Sequence, residues 1–519
     1  MSRSPSRTPV NMISLAMRWQ AILAAVLCVA NWSTAPALAE TMAPTPGEST
    51  AVLEPQSPAW QAAPEDPLSW IIALVVLTAS AVLVHALTRR PDPDEDDQRI
   101  PPSPWGGVVG EGDPAEGLAA LEAVGEAMID AGYSVTGVRS ALVDIAHVNG
   151  FPATEIVVFP TALIVSARGS GTVSTGVVSS GHESLRLNQI DALDDVILAA
   201  RRRPLDPAGV RAAVLAVREL ASPYTPAQRA GSYSMLSAGL SVLLGGSWAG
   251  VGVAAVLGLV VGVVYLATEN VQRQYRALVT VGLAFGVSVT VFTLTNQGID
   301  PGVLAALIAP LVILLPGGLL TTGVIELATG QMMAGAGRLA AGTMQLMLLS
   351  IGLVAGSTLA GVPTLELVEA QDPIGPLGPW LAVAVFGIGV VIFQCGRPST
   401  IAWILLVLYV AYGAQVIGDI FFGGVLSAMI GAFVMTPVAY LVSGRPSGPA
   451  AFASFLPAFW MLVPGALGLV GVTGILDGDS AGVTTLVTTA STMVAIALGI
   501  LAGSPLGSRL AKGGAVVAV

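Results

Sequence analysis

The strongest constraint on this chain is a pattern that occurs twice. Ile313-Leu314-Leu315-Pro316-Gly317-Gly318 returns 148 positions later as Met461-Leu462-Val463-Pro464-Gly465-Ala466. Gly323 matches Gly471 and Gly330 matches Gly478 at the same offset. With 60 glycines in the chain, those glycine matches alone say little, and the argument rests on the Pro-Gly pairs. Both pairs lie inside apolar runs. Proline lacks the N–H that an interior helical position donates, and glycine loses the most backbone freedom on ordering. Two helices broken at equivalent places predict a duplicated membrane domain, the arrangement in which secondary transporters build a substrate site.

Composition supports the membrane reading. The chain has 519 residues, 54% hydrophobic and 11% charged, well outside the range of soluble domains. From Ser232 onward ten apolar spans are expected, near 232–247, 250–267, 277–295, 302–322, 339–360, 379–395, 399–414, 417–441, 452–475 and 482–503. The cations beyond the soluble region are Arg273, Arg276, Arg338, Arg397, Arg445, Arg509 and Lys512, and all fall in gaps on one side. The other side carries only acids: Asp300, then Glu366, Glu369 and Asp372, then Asp477 and Asp479. The positive side is expected to be cytoplasmic.

Ten spans divide into modules at 231–370 and 371–519, and an odd number of spans per module inverts the second. The breaks then fall in the fourth span of each, so one broken helix runs inward and the other outward. A site is expected near the midplane at Pro316, Gly317, Gly318, Pro464 and Gly465. Freed N–H groups at a half-helix start suit a carboxylate, and freed carbonyls suit an ammonium. No Arg or Lys lies deep in any span, which favours a zwitterionic or neutral substrate over a dianion. Ordinary proline kinks are the bland alternative. Asp419, close to an outer span end, and Glu326, ten residues beyond Pro316, are the candidate proton-coupling acids. The competing readings are an interfacial carboxylate for Asp419 and a solvated helix end for Glu326.

The first 230 residues are different in character. Arg3, Arg7 and Arg18, an apolar stretch at 21–30 and Ala37-Leu38-Ala39 read as a signal peptide or signal anchor over 1–39. Residues 40–68 form a Pro-rich segment outside the cytoplasm, 69–87 a first transmembrane helix and 88–114 an acidic linker. Residues 115–230 read as a cytoplasmic α+β domain. Helices are expected at 118–131, 134–148, 187–202 and 206–220, and strands at 155–159, 162–166 and 172–178. His182, Ser184 and Asp194 could form a hydrolytic triad, but no nucleophile elbow surrounds Ser184. Cys28 and Cys395 are far apart and support neither a disulfide framework nor a metal site. No phosphate-binding loop is present, so ATP drive, a cofactor and a nucleic-acid role are not expected. The fold class is thus a polytopic all-α membrane protein, a ten-span inverted 5+5 repeat, with an α+β cytoplasmic domain.

This order of parts resembles the bacterial threonine/serine exporters, the ThrE family. Gly125-Glu126-Ala127-Met128, Gly132-Tyr133-Ser134-Val135, Val138-Arg139, Ala162-Leu163-Ile164-Val165-Ser166 and Leu187-Asn188 with Leu193 are similar to the family's soluble portion. Leu315-Pro316-Gly317-Gly318 with Gly330 and Gly337-Arg338-Leu339 resembles the end of its first membrane module. Val463-Pro464-Gly465-Ala466 resembles the second, and Gly418-Asp419 sits where relatives carry an acid. The N-terminal signal, tether and extra span depart from the common pattern. The resemblance implies a transporter, not an enzyme, that exports L-threonine and L-serine across a bacterial inner membrane by proton-coupled antiport. Its partners would be the amino acid, protons and the lipid bilayer, with homo-oligomerisation left open. Export of a small dicarboxylate such as succinate is one alternative. A tethered hydrolase or sensor acting through the soluble domain is the other.

Overall fold

The computed structural model describes residues 67–88, 114–150, 153–168, 173–181, 184–202, 204, 206–299, 301–362, 374–445, 447–462, 464–478 and 481–511. The signal, most of the Pro-rich segment, the linker, Cys28, His182, Asp300, Glu366, Glu369, Asp372, Asp479 and Lys512 lie outside the described residues.

A helix α1 (Pro67–Thr88) packs on the membrane helices. Next come α2 (Pro114–Ala131) and α3 (Val135–Val148), then strands β1 (Thr154–Phe159), β2 (Ala162–Arg168) and β3 (Val173–Ser179), then α4 (Leu187–Arg202) and α5 (Pro207–Arg218). The strands form an antiparallel sheet in sequence order, with Val158 opposite Leu163 and Ile164 opposite Val177. Alternation turns Leu163, Val165 and Ala167 into the interior against α2. Ser134 caps α3 by accepting from the Gly137 N–H, and Asp206 caps α5 by accepting from Gly209.

The remainder is helical: α6 (Pro226–Leu243), α7 (Trp248–Ala267), α8 (Arg273–Asn296), α9 (Val303–Ile308) continuing into a 3₁₀ stretch (Ala309–Leu314), α10 (Gly317–Ala328) and α11 (Met332–Leu359). Then follow α12 (Gly378–Phe393), α13 (Ile401–Phe422), α14 (Gly424–Ser443), α15 (Ala451–Met461), α16 (Pro464–Leu476) and α17 (Ala481–Leu510). Among the described residues seven helices are long and apolar enough to cross a membrane, or eight if the bent pair around Pro316 counts as one. The expected spans at 232–247 and 379–395 do not meet that standard. In α6, Gln228, Arg229 and four serines (Ser232, Ser234, Ser237, Ser241) lower the hydropathy, and α12 has only 16 residues. Both are nevertheless central, and they cross at glycines. A Cβ on Gly239 would sit 2.7 Å from the Phe386 nitrogen, and one on Gly389 would sit 2.6 Å from the Leu236 nitrogen.

Packing is matched between the two groups of helices. α8 lies on α11 as α14 lies on α17, and α10 and α16 each touch both α11 and α17. Exposed Val256, Val260 and Val263 on α7, and Val487, Val494 and Leu498 on α17, give the periphery an apolar surface suited to lipid.

The sheet-containing segment docks on one end of this helical part. The Leu187 N–H donates to the Gln394 carbonyl at 2.9 Å. Asp191 on α4 accepts from Arg397 Nε at 3.0 Å with one oxygen and from the Ala450 N–H at 2.8 Å with the other. Burial pushes Asp191 up to about 6 despite Arg397. Burial, with Asp195 and Asp191 nearby, pushes Asp194 up to about 7 against Arg201. The folded chain therefore binds protons between about pH 4 and 7 that the unfolded chain has released, so stability declines as pH rises across that window. Replacing Asp191 and Asp194 together by Asn should flatten the melting temperature as a function of pH in that range, and thermal unfolding at stepped pH reads it.

Candidate functional site

The chain is interrupted where the sequence repeats itself. The α9–3₁₀ helix and α10 meet at an angle of 65°. Leu315 takes an extended conformation (ψ 127°) and Pro316 starts the next helix, because its ring cannot continue the ladder. The second copy stops at Met461 and restarts at Pro464, a first-turn position where the missing N–H costs nothing.

The two interruptions touch. A Cβ on Gly465 would lie 3.1 Å from the Gly317 nitrogen and 3.2 Å from its Cα, and a Cβ on Gly317 would lie 3.4 Å from the Gly465 nitrogen. Main chain meets main chain, and a side chain at 465 would have to push that backbone back by a few tenths of an ångström. Both α10 and α16 begin here. Two half-helix N-termini, each with N–H groups lacking intrahelical acceptors and a positive dipole end, converge on one buried point.

Neighbouring side chains meet carbonyls at the end of the first copy's preceding half. Gln345 of α11 donates from Nε2 to the Leu314 carbonyl at 2.6 Å, and the Tyr233 hydroxyl of α6 donates to the Pro310 carbonyl at 2.8 Å. Thr473 of α16 and Ser350 of α11 share a hydrogen bond of 3.0 Å. A glutamine in an apolar span reads only as interhelical glue, and a tyrosine in an apolar helix carries no sign of its acceptor.

Glu326 is not a solvated helix end. It is fully buried, nine residues and about 13 Å along α10 from Gly317. Arg338 Nε lies 3.1 Å from each of its oxygens, and the Val135 N–H at the start of α3 donates to it at 3.0 Å. Arg338 in turn donates to the Tyr133 carbonyl at 2.9 Å. The Tyr133 ring stacks on Phe452 of α15, with centroids 4.8 Å apart. Asp191, bonded to the Ala450 N–H, sits at the start of α15. The sheet-containing segment thus holds the far end of α10 and the near end of α15, the half-helices that lead to and from the crossing.

Asp419 lies elsewhere. It is partly buried on α13, eight residues and about 12 Å beyond Ala411, whose carbonyl meets Gly431 of α14 beside Leu462. The structure therefore joins Pro316, Gly317 and Gly318 with Gly465, and leaves Glu326 and Asp419 away from the crossing in opposite directions. Of the hydrolytic trio, Ser184 is exposed, Asp194 lies in α4 and His182 is outside the described residues. No group of three or more metal-ligating side chains occurs among the described residues.

Removing one member of a buried ion pair strands the other charge, at a cost of about 3–5 kcal/mol. Arg338→Ala should therefore lower the melting temperature more than the double change Arg338→Met with Glu326→Gln, which removes both charges. Thermal unfolding of the detergent-purified proteins measures the difference.

No curated protein and no solved structure matches the chain. Residues 120–360, from within α2 to just past the end of α11, match a family model. Over these residues the chain carries the module of the ThrE family, described as "Putative threonine/serine exporter".

Proposed function

We propose that the protein exports small amino acids, L-threonine and L-serine first among them, from the cytoplasm across the inner membrane in exchange for protons. The observation that carries this is the meeting of two half-helix N-termini at Gly317 and Gly465. Their free N–H groups and dipoles suit a carboxylate, and the carbonyl ends of the preceding halves suit an ammonium, so a zwitterion satisfies both. The family match makes threonine and serine the first substrates to test.

In this reading α6–α11 and α12–α17 are two five-helix modules in inverted orientation, which the matched packing around α11 and α17 supports. The α+β domain lies in the cytoplasm, on the side of Arg338 and Arg397. Asp419 carries the coupling proton. Glu326, engaged by Arg338, would exchange a proton only when that pair opens.

A small dicarboxylate is the second reading, and the pairing of two N-termini at one point favours it. Efflux of labelled threonine, with and without a protonophore, separates the two. Protonophore-sensitive efflux diluted by unlabelled serine supports amino-acid export, and efflux of succinate alone replaces it. Asp419→Asn is expected to reduce proton-driven efflux by about tenfold while leaving membrane insertion intact. Wild-type efflux from that variant rules out its coupling role. Pro464→Leu with Gly465→Leu, which restores a continuous helix, is expected to abolish transport.

A further inference from the structure

The corner between α2 and α3 holds two half-helices at once. Its main chain is bonded on one side: the Val135 N–H donates to Glu326 of α10 at 3.0 Å, and the Tyr133 carbonyl accepts from Arg338 of α11 at 2.9 Å. Arg338 is itself paired with Glu326, so Tyr133 is fixed to α10 and α11 through its own backbone. On the other side the Tyr133 ring stacks on Phe452 of α15, with centroids 4.8 Å apart and planes 27° from parallel. The Tyr133 hydroxyl is buried and has no hydrogen-bond partner among the described residues. The side chain is thus held on α15 by the stack and by no hydrogen bond.

This corner lies where the crossing is approached from the docked end. α10 and α15 lead from that end to Gly317 and Gly465, and they touch each other. A Cβ on Gly318 would lie 3.5 Å from Phe459 Cδ2 and 3.9 Å from Leu456 Cδ1, so the two half-helices close on one another beside the crossing. Every residue of α15 except Leu456 is buried, and Tyr133, Val135 and Glu326 are buried at the docked end. The described residues along this side are packed shut. The sheet-containing segment is held to the start of α15 a second time, by Asp191 of α4 bonded to the Ala450 N–H and Arg397. Moving α10 away from α15 therefore turns the Tyr133 corner relative to α4 and takes the ring off Phe452.

We propose that Tyr133 is the gate residue at this end of the transport route: its main chain rides on α10 and α11, its ring rests on α15, and a solute reaches the crossing when the ring leaves Phe452. The assignment rests on the transport reading above, in which this end faces the cytoplasm. Tyr133 acts through the half-helices and does not touch the cargo, so it is a positioning residue. Its unpartnered hydroxyl fits the role, because a hydrogen bond there would add to the hold on the ring and slow its release. The sheet-containing segment thereby becomes a strap across the two half-helices.

The test uses the full-length chain in proteoliposomes, with Cys28→Ser and Cys395→Ser as the parent background. Gly318→Cys places a reporter thiol between α10 and α15, and Thr473→Cys places another on α16, beyond the crossing and against Ser350. Labelling by a small water-soluble methanethiosulfonate is timed at each. Tyr133→Ala removes the ring and keeps the carbonyl. It should speed labelling at 318 by about tenfold, the worth of one aromatic stack, and leave labelling at 473 unchanged. Tyr133→Phe, which keeps the ring, should label as slowly as the parent. Equal acceleration at both thiols would make the ring a general packing element and overturn the assignment, as would no acceleration at 318. Separately, Tyr133→Cys with Phe452→Cys, bridged by a short reducible bis-maleimide and confirmed by mass spectrometry, should stop efflux of labelled threonine until the bridge is reduced. Bridged protein that exports at the unbridged rate would overturn the gate and leave the transport reading intact. A parent chain that exports neither threonine nor serine would overturn the transport reading, and the labelling ratio would still decide whether Tyr133 holds this end closed.

Discussion

A backbone inside a bilayer has no water to turn to, so every peptide group must find its partner within the protein. That constraint decides where a transmembrane helix can be interrupted. In this chain an interruption survives only at the centre of the bundle, where Gln345 and Tyr233 reach the carbonyls of Leu314 and Pro310. The second interruption lies against the first. Each break is thus shielded from lipid by the other, and the glycine pair sets how closely they meet. The N–H groups at the two restarts have no acceptor within their own helices, and an anionic ligand group is their chemical complement.

The sheet-containing segment belongs to the same construction. Its contacts fall on the half-helices that flank the crossing, through Glu326, Arg338, Asp191 and Phe452. The half-helices on the other side of the crossing, α9 with its 3₁₀ extension and α16, are held instead by neighbouring membrane helices, chiefly α6 and α7 for the first and α11 and α17 for the second. The two ends of the crossing are therefore secured by different kinds of contact, one polar and one mainly apolar.

Much of this was legible in the sequence, for local reasons. Proline and glycine act on their own backbone, so the interruptions at Pro316 and Pro464 could be placed from their Pro-Gly pairs, whereas Pro437, Pro457 and Pro505 lie inside continuous helices. Ser134 and Asp206 mark helix starts because a cap bonds within three residues. What could not be read depends on distant partners. Glu326 looks like an ordinary helix-end acid until Val135, 191 positions earlier, supplies an N–H to it. Asp191 gives no hint of Ala450, 259 positions later. Hydropathy also failed at α6, where serines and Arg229 lower the average although the helix packs against α12 at the heart of the bundle. Arg229 is tolerated there because Glu269 and the Phe393 carbonyl take up its guanidinium.

The hold on the far end of α10 is asymmetric in what it asks of the sequence. The membrane part contributes two side chains, Glu326 and Arg338, and the sheet-containing segment contributes main chain, the Val135 N–H and the Tyr133 carbonyl. Side-chain identity at 135 is thus irrelevant to that bond, and at 133 it matters only for the ring stacked on Phe452. The path of the backbone matters instead, and it is set by Gly132, whose φ of +94° turns the chain from α2 into α3. Mutational tolerance should be divided accordingly: at 135 a side chain need only fill its buried space and keep the N–H, whereas 132, 326 and 338 are narrow. One docking contact therefore restricts drift in the two parts of the chain by unrelated rules, conformation on one side and charge on the other.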